Sequence, residues 1–316
     1  MSIELARVDR ELMHGVIDMH LHAGPCLLER PFDELEIARQ ARDVGYRALV
    51  LKSIFVPNAD RVELVRQAVP GIALYGGMVL NHSIGGVNPE AVATAVGFGA
   101  KVVWLPTVHS CNHIKFFGVS HYPWQKQKGF RRKTEGAGIS LIDAKGELTP
   151  DIIEVLDIAK AASLVIASGH VSAEEILAVA KYADKIGFDK LLLTHVGWHA
   201  TDWKDEMLMR MKDLPCTFEF TINPCMPSRQ QANPKTFAKK ILMLGTKRCI
   251  AATDLGQLDT THPIDGFRMW LRILRDNGLN DADIDLMARK NPARLLDLGP
   301  NDAPPTVTPR LEAAVG

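Results

Sequence analysis

Short apolar runs rich in Val, Ile and Leu alternate with longer stretches whose apolar positions recur every three to four residues, and this rhythm continues from residue 16 to residue 277. A strand turns alternate residues to one face, whereas a helix covers a core with an i, i+3, i+4 stripe. Regular alternation of the two is the pattern of a parallel sheet with helical crossovers. Strands are predicted over Val16–His22, Arg47–Lys52, Ala73–Asn81, Val102–Thr107, Leu164–His170, Leu191–His195, Thr217–Asn223 and Cys249–Asp254. Helices are predicted over Asp33–Val44, Ala59–Ala68, Pro89–Phe98, Pro150–Ala162, Ala173–Ile186, Trp203–Leu214, Pro234–Leu244 and Ile264–Asn277. Several start on Pro or an acidic turn and several stop at Gly45, Gly187, Gly245 or Gly278, as helix capping favours.

Eight such units of about thirty residues match a (β/α)8 TIM barrel of roughly 250 residues. The expected fold is therefore α/β, one barrel domain over residues 1–298. The spacing breaks once, between the fourth and fifth strands, where residues 109–148 form an insertion expected to sit as a lid at the barrel mouth. Its first part, His109–Lys133, is rich in histidine, aromatic and basic residues, and Asp143-Ala144-Lys145-Gly146 reads as a small hairpin. Asp281–Leu298 is expected to add a helix or a pair of helices, and 299–316 is a Pro-rich tail.

Composition narrows the partners. The 316 residues are 47% hydrophobic and 23% charged, and 37 basic residues balance 37 acidic ones. No overall field favours nucleic acid or an anionic membrane, and no run is long and apolar enough to span a bilayer. The N-terminus lacks the apolar core of a signal peptide, so a cytoplasmic location is expected. Five cysteines without a Cys-x-x-Cys pair read as free thiols. What remains as partner is a small-molecule substrate, with self-association into a homo-oligomer left open.

Candidate chemistry gathers where the predicted strands end. Asp18-Met19-His20-Leu21-His22 places two imidazoles one strand pitch apart, facing the same way, with Leu21 on the opposite face. Neutral imidazole nitrogens suit zinc or a similar divalent ion. In barrels, catalytic groups come from the C-terminal ends of several strands. Here those ends carry His20 and His22, Lys52, Asn81 and His82, Thr107 and His109, His170, His195, Asn223 and Asp254 in turn. Asp18 is expected on the same face as the two histidines, one layer deeper.

With these residues in place the chain resembles the amidohydrolase superfamily of metal-dependent hydrolases. The resemblance rests on Asp-Met-His-Leu-His at 18–22, Ser-Gly-His at 168–170, Leu-Thr-His at 193–195, Thr-Asp-Leu-Gly at 253–256 and Asn-Pro-Ala-Arg-Leu-Leu at 291–296. It implies that His20, His22 and Asp254 bind the more buried metal and that His170 and His195 can hold a second ion. The cofactor implied is one or two divalent ions, zinc first, manganese or iron as alternatives. The chain departs from the family pattern on the fourth strand, where Val103-Trp104-Leu105-Pro106-Thr107 offers no bridge between two ions. Lys52 could serve as a carboxylated bridge, as a substrate contact or as a structural ion-pair residue. Ala173 stands where the deaminase branch would carry an acid, and the neutral charge disfavours a nuclease.

The reading these residues support is hydrolysis of a C–N or C–O bond, in an amide, cyclic imide or lactone, by a water that the ion activates. Asp254 would act as metal ligand and general base, with Lys52 and His195 as further catalytic groups. His82, His109, His113, Trp198 and Asn223 are candidates for substrate binding. Phe116, Phe117, Tyr122, Trp124, Trp198 and Trp203 could wall a pocket for a ring or pack a lid, and Lys126–Lys133 could meet a carboxylate or phosphate or be a solvated run. The alternatives are a metal-dependent decarboxylase or lyase on the same barrel and a non-catalytic barrel that binds a ligand.

Overall fold

The computed structural model describes residues 11–122, 127–129, 137–201 and 203–299. Its strands are β1 (Ile17–Leu21), β2 (Ala48–Leu51), β3 (Ala73–Tyr75), β4 (Gly77–Val79), β5 (Val102–Trp104), β6 (Val165–Ala167), β7 (Leu191–Leu193), β8 (Cys216–Thr221) and β9 (Cys249–Ala252). Neighbours pair in parallel, as β1-β2-β3 and as β4 through β9. β3 and β4 are the two halves of one stave parted at Gly76, so the staves number eight. Gly77 permits that stave to lie tight against the next, since a Cβ there would stand 1.8 Å from the Val102 carbonyl oxygen. The ring closes between its last and first strands, where Asp254 N donates to His20 O at 2.7 Å and His22 N to Leu255 O at 2.8 Å. The fold is the (β/α)8 barrel that the alternating pattern predicts, with helices at or within two residues of their predicted bounds.

Two apolar layers hold it. Ile17, Met19, Val50, Val102, Trp104, Val165, Leu192 and Ile250 fill the barrel interior, and Ala293, Leu295 and Leu296 plug its lower end. Leu21, Leu49, Val103, Ile166, Leu193, Phe218 and Ala251 face outward beneath the helices. Alternation of the two sets along each strand is what a closed sheet with a filled interior requires.

β1 breaks the alternation. Asp18 pairs with Leu49 but Leu21 with Leu51, so β1 carries one extra residue, a bulge. Ile17 and Met19 face inward below it, while Leu21 faces outward above it, which turns His20 and His22 to the interior. Asp18 thereby leaves the histidine face, contrary to the expectation from simple alternation. Its carboxylate turns to the seam and accepts from Thr253 Oγ1 at 2.6 Å, Thr253 N at 3.1 Å and His20 N at 3.1 Å.

The insertion after β5 opens with a short helix, Cys111–Phe117, capped by Ser110, whose Oγ accepts from His113 N at 3.0 Å. Asp143–Gly146 forms the expected tight turn, and Ile142 pairs antiparallel with Leu148. Buried Glu175 anchors this hairpin to the barrel by accepting from Leu141 N at 2.9 Å. Farther out, Gln127 pairs with Leu28, and Lys128 N donates to Leu27 O at 2.8 Å. Leu27 and Leu28 follow β1, so described residues of the insertion reach from the fourth stave to the loop after the first. Trp124, Lys126, Arg131, Arg132 and Lys133 lie outside the described residues, as does the tail from 300 onward. Among the described residues no helix is long and apolar enough to cross a membrane.

The C-terminal segment runs through Asp281–Asp285, a π-helical turn at Leu286–Lys290 and Asn291–Leu295. Asn291 Nδ2 donates to Thr246 O and Cys249 O at 2.8 and 2.7 Å, and Asp297 receives Lys101 Nζ at 2.6 Å, Lys190 Nζ at 2.5 Å and Ser163 Oγ at 2.9 Å. Partial burial pushes the Asp297 pKa up, but the hydrogen bonds from the two lysines and the serine outweigh it and hold the group at about 2, below its ordinary 3.8. A carboxylate depressed in this way stabilises the fold above its ordinary value and loses that contribution as pH falls through the folded value. Asp297→Asn, which keeps a residue tolerant of the φ of 58° found there, is expected to lower the thermal midpoint at pH 7. Because Asp297 is half exposed, the loss should be about 1 kcal/mol or less. The gap between wild type and variant, followed by calorimetry, should narrow between about pH 4 and pH 2.

Candidate functional site

The interior residues above the Trp104 layer are polar and come from nearly every stave. His20 and His22 follow the β1 bulge, Lys52 follows β2, Glu219 belongs to β8, and His170, His195 and Asp254 lie two or three residues past β6, β7 and β9. The last two lie beyond strand geometry rather than within it. His195 has φ 62° and Asp254 φ 53°, left-handed values that few non-glycine residues hold without surrounding constraint. Asp254 is fixed by its own N–H to His20 O and by Asn223 Nδ2 and Gln257 Nε2, which donate to its carbonyl at 2.6 and 2.9 Å. Gly256, at φ 111°, lets this turn pass the first strand, for a Cβ there would stand 1.8 Å from His22 O.

Four imidazoles and three ionisable chains share this space, all buried. His20 Nδ1 lies 2.9 Å from Glu219 Oε1, and its Nε2 lies 3.2 Å from Asp254 Oδ1 and 3.0 Å from Lys52 Nζ. His22 Nδ1 lies 3.2 Å from Lys52 O, and its Nε2 3.1 Å from Asp254 Oδ1. His195 Nδ1 is 3.7 Å from Asp254 Oδ2, and its Nε2 is buried without a hydrogen-bond partner. His170 stacks on His113 at 5.0 Å between ring centres, with Nδ1 to Nδ1 at 2.9 Å.

Burial, ahead of the neighbouring charges, drives His20, His22, His170 and His195 well below their ordinary pKa, so all four are neutral. The same burial pushes Lys52 down and Glu219 up, while the attraction between opposite charges works against both shifts. The partners fix the tautomers. The Lys52 ammonium can only donate, so His20 Nε2 accepts from it and the His20 proton sits on Nδ1 toward Glu219, while His22 donates from Nδ1 to the Lys52 carbonyl. Each Nε2 is then a lone pair aimed at an oxygen of Asp254 that is also an acceptor. His113 Nε2 donates to His121 O at 3.2 Å, so its Nδ1 accepts from His170 Nδ1 and leaves His170 Nε2 as a lone pair.

Acceptors at 3.1–3.2 Å with no proton between them repel unless a cation lies among them. Lys52 Nζ supplies one positive charge to His20, but nothing comparable stands between His22 and Asp254. Ligands about 2.0–2.2 Å from one divalent ion stand about 3–3.5 Å apart, so this donor set fits such an ion. Among the described residues, His20, His195 and Asp254 bring one ligand atom each within 4.8 Å of one another, and His22 adjoins them through Asp254. His170 stands outside that group. Trp104, on the fourth stave, has its ring 6.1 Å from His20 and 5.2 Å from Lys52 Nζ.

The cavity over this group is lined by His22, His170, His195 and Asp254 together with Trp198, Asn223, Tyr122, Arg30, Arg229, Gln231 and Gln257. Trp198 and Asn223 thus belong to the cavity wall. Three other candidates do not line it. His82 is exposed, bonds Ala137 O at 3.0 Å and packs on His109, because the short helical turn after β4 carries it outward. His113 is held behind His170 by its own helix and positions that ring instead. Of the aromatic residues, Tyr122 and Trp198 form wall, Phe117 packs on Trp198 at 5.9 Å, Phe116 is exposed and Trp203 is buried elsewhere.

Glu219 and Arg30 had not been singled out in the sequence. A charged residue at the inward phase of Thr217-Phe218-Glu219-Phe220-Thr221 is the signal for the first. Nothing local marks Arg30, eight residues past His22 in an irregular loop.

A family model described as a family of unknown function (DUF6282) matches residues 15–219. No curated protein matches the sequence. Solved structures share the fold. A probable dipeptidase, PvdM, from Pseudomonas aeruginosa is 11% identical, with 94% of this chain and 98% of that one covered and a TM-score of 0.63. An organophosphorus hydrolase from Deinococcus radiodurans is 14% identical, with 91% and 93% covered and a TM-score of 0.58. A dihydroxybenzoic acid decarboxylase from a Polaromonas species, with bound manganese and the inhibitor 2-nitroresorcinol, is 12% identical, with 90% and 97% covered and a TM-score of 0.54. What these structures share with the chain is the barrel fold.

Glu219 holds the proton side of His20 and so sets the basicity of Nε2. Glu219→Gln is expected to leave the barrel folded while lowering affinity for added zinc about 10- to 100-fold, as read by competition with a chromogenic chelator.

Proposed function

The chain belongs to the DUF6282 family, and we propose that it is a metal-dependent hydrolase that opens a C–N or C–O bond in a small amide, cyclic imide or lactone. The observation that carries this reading is the convergence of the His20 Nε2 and His22 Nε2 lone pairs on one oxygen of Asp254. Zinc is the first candidate for the ion, with manganese or iron as alternatives, and the donor set of neutral imidazoles with one carboxylate suits all three. When bound, such an ion supplies Lewis acidity, lowering the pKa of a water to about 7 and polarising a carbonyl.

The chain's own residues then have separable tasks. Asp254 accepts a proton from the attacking water at a carboxylate oxygen and returns it to the leaving nitrogen or oxygen. Its backbone, pinned on three sides, keeps that carboxylate from swinging away between the two transfers. His195, with Nε2 lacking any protein partner, holds the substrate carbonyl or a further ion. His170 faces the same cavity with its tautomer set by His113. Lys52 balances the charge of Glu219 and Asp254 beneath the cavity. The insertion covers the cavity with Tyr122 and limits the entry of bulk water.

Decarboxylation on the same barrel is the second reading, favoured by a fourth stave that carries Trp104 rather than a bridging ligand, which suits a single ion. Carbon dioxide release from a panel of aromatic carboxylates, without hydrolysis of matched amides and lactones, would replace the first reading by the second.

Asp254→Asn is expected to cut hydrolytic turnover about 10²- to 10⁴-fold in a lactone and amide panel. The double change His20→Ala with His22→Ala should remove bound metal, measured by elemental analysis, with helical circular dichroism unchanged. A double variant that keeps its metal and its turnover would show that the ion lies elsewhere.

A further inference from the structure

The cavity wall also carries a charge that the chemistry above does not use. Arg30, in the loop after β1, donates from Nη1 to Gly256 O at 3.0 Å, and its Nε is buried with no partner. Among the described residues it forms no ion pair. Arg229, on the loop after β8, lines the same cavity but is differently placed, with Nη2 2.7 Å from Asp259 Oδ1 and Nη1 on Asp259 Oδ2. That fork is already matched to a carboxylate, whereas Arg30 has its charge to spare. Its field reaches the site, since it is among the charges acting on His22 and on Tyr122.

A guanidinium drawn out of bulk water without a counter-charge is costly, and an anion that fills its fork relieves the cost. Gln231, Gln257 and Asn223 line the same cavity with neutral amides, while Trp198, Tyr122 and Ile54 add apolar surface. With a divalent ion among the imidazoles, the cavity as a whole carries excess positive charge.

We propose that the substrate is a small organic carboxylate, its carboxylate held by Arg30 and its body lying against Trp198 and Tyr122, with the scissile bond over Asp254. The planar fork suits two carboxylate oxygens. A phosphate dianion would call for a second uncommitted cation, and Arg229 is committed to Asp259. The inference deepens the hydrolase reading by giving its substrate a class, yet Arg30 would prefer an anion whether or not the chain hydrolyses one.

The test is calorimetric titration of the metal-replete full-length chain with benzoate, benzamide and phenyl phosphate, repeated on Arg30→Met and Arg30→Lys. Wild type should bind benzoate about 10-fold or more tighter than benzamide, since a charge-assisted hydrogen-bond pair is at stake. Arg30→Met should abolish that preference with metal content unchanged, and Arg30→Lys, which keeps charge but not the fork, should retain only part of it. Should the methionine variant fail to fold, the lysine variant alone decides, through a fall in benzoate affinity with benzamide unaffected. Equal binding of benzoate and benzamide by wild type, an undiminished preference in the variants, or tighter binding of phenyl phosphate than benzoate would each overturn the proposal. An Arg30-dependent carboxylate preference in a chain that holds no metal and turns over no amide or lactone would support it while removing the hydrolase reading.

Discussion

The structure depends on one seam. A barrel of parallel staves closes only if the last strand finds the first, and here the strands that meet are more than two hundred residues apart in sequence. The carboxylate of Asp18 holds them, accepting two bonds from Thr253 and one from the backbone of His20. Burial raises its pKa to about 7, so the fold keeps an acid in its wall at some electrostatic cost. What it gains is position. The bulge that turns Asp18 to the seam is also what turns His20 and His22 to the interior, so closure and the aim of the ligands are one event.

The centre formed above the seam joins groups that do not satisfy one another. Neutral imidazoles face a carboxylate oxygen, a lysine is driven toward neutrality, and a glutamate is driven toward protonation. A fold that only needed to be stable would pair or replace these groups with apolar ones. Their joint persistence within one buried space is the ground on which a bound cation is proposed, and the stacked His113 behind His170 sets the tautomer of the outermost ring as well.

Much of this was legible in the chain because periodicity reports burial. Strand and helix order, the break after the fourth stave and the polar residues past the strand ends all follow from alternation and caps. The phase slip in β1 was not legible, since Ile17, Asp18, Met19 and His20 alternate as an uninterrupted strand would, and only the register against Leu49 and Leu51 reveals the extra residue. Strand ends were read too long. His195 and Asp254 lie past β7 and β9 in left-handed conformations, which no pattern of apolar residues encodes. His82 and His109 drew attention as ends of predicted strands and His113 as part of the insertion, yet a short helical turn at His82 and a helix at His113 follow from local capping, and none of the three lines the cavity. Arg30 escaped notice for the converse reason, as an irregular loop gives sequence no phase from which to infer direction.

The seam also imposes an order on synthesis. His20 and His22 leave the ribosome more than two hundred residues ahead of their partner Asp254, and the helix that plugs the lower end of the ring follows it. Until then the first strand lacks its partner at the seam, and Lys101 and Lys190 await Asp297. The two imidazoles gain their carboxylate only when the seam forms, so assembly of this polar group and closure of the ring are one late step in the order of the chain.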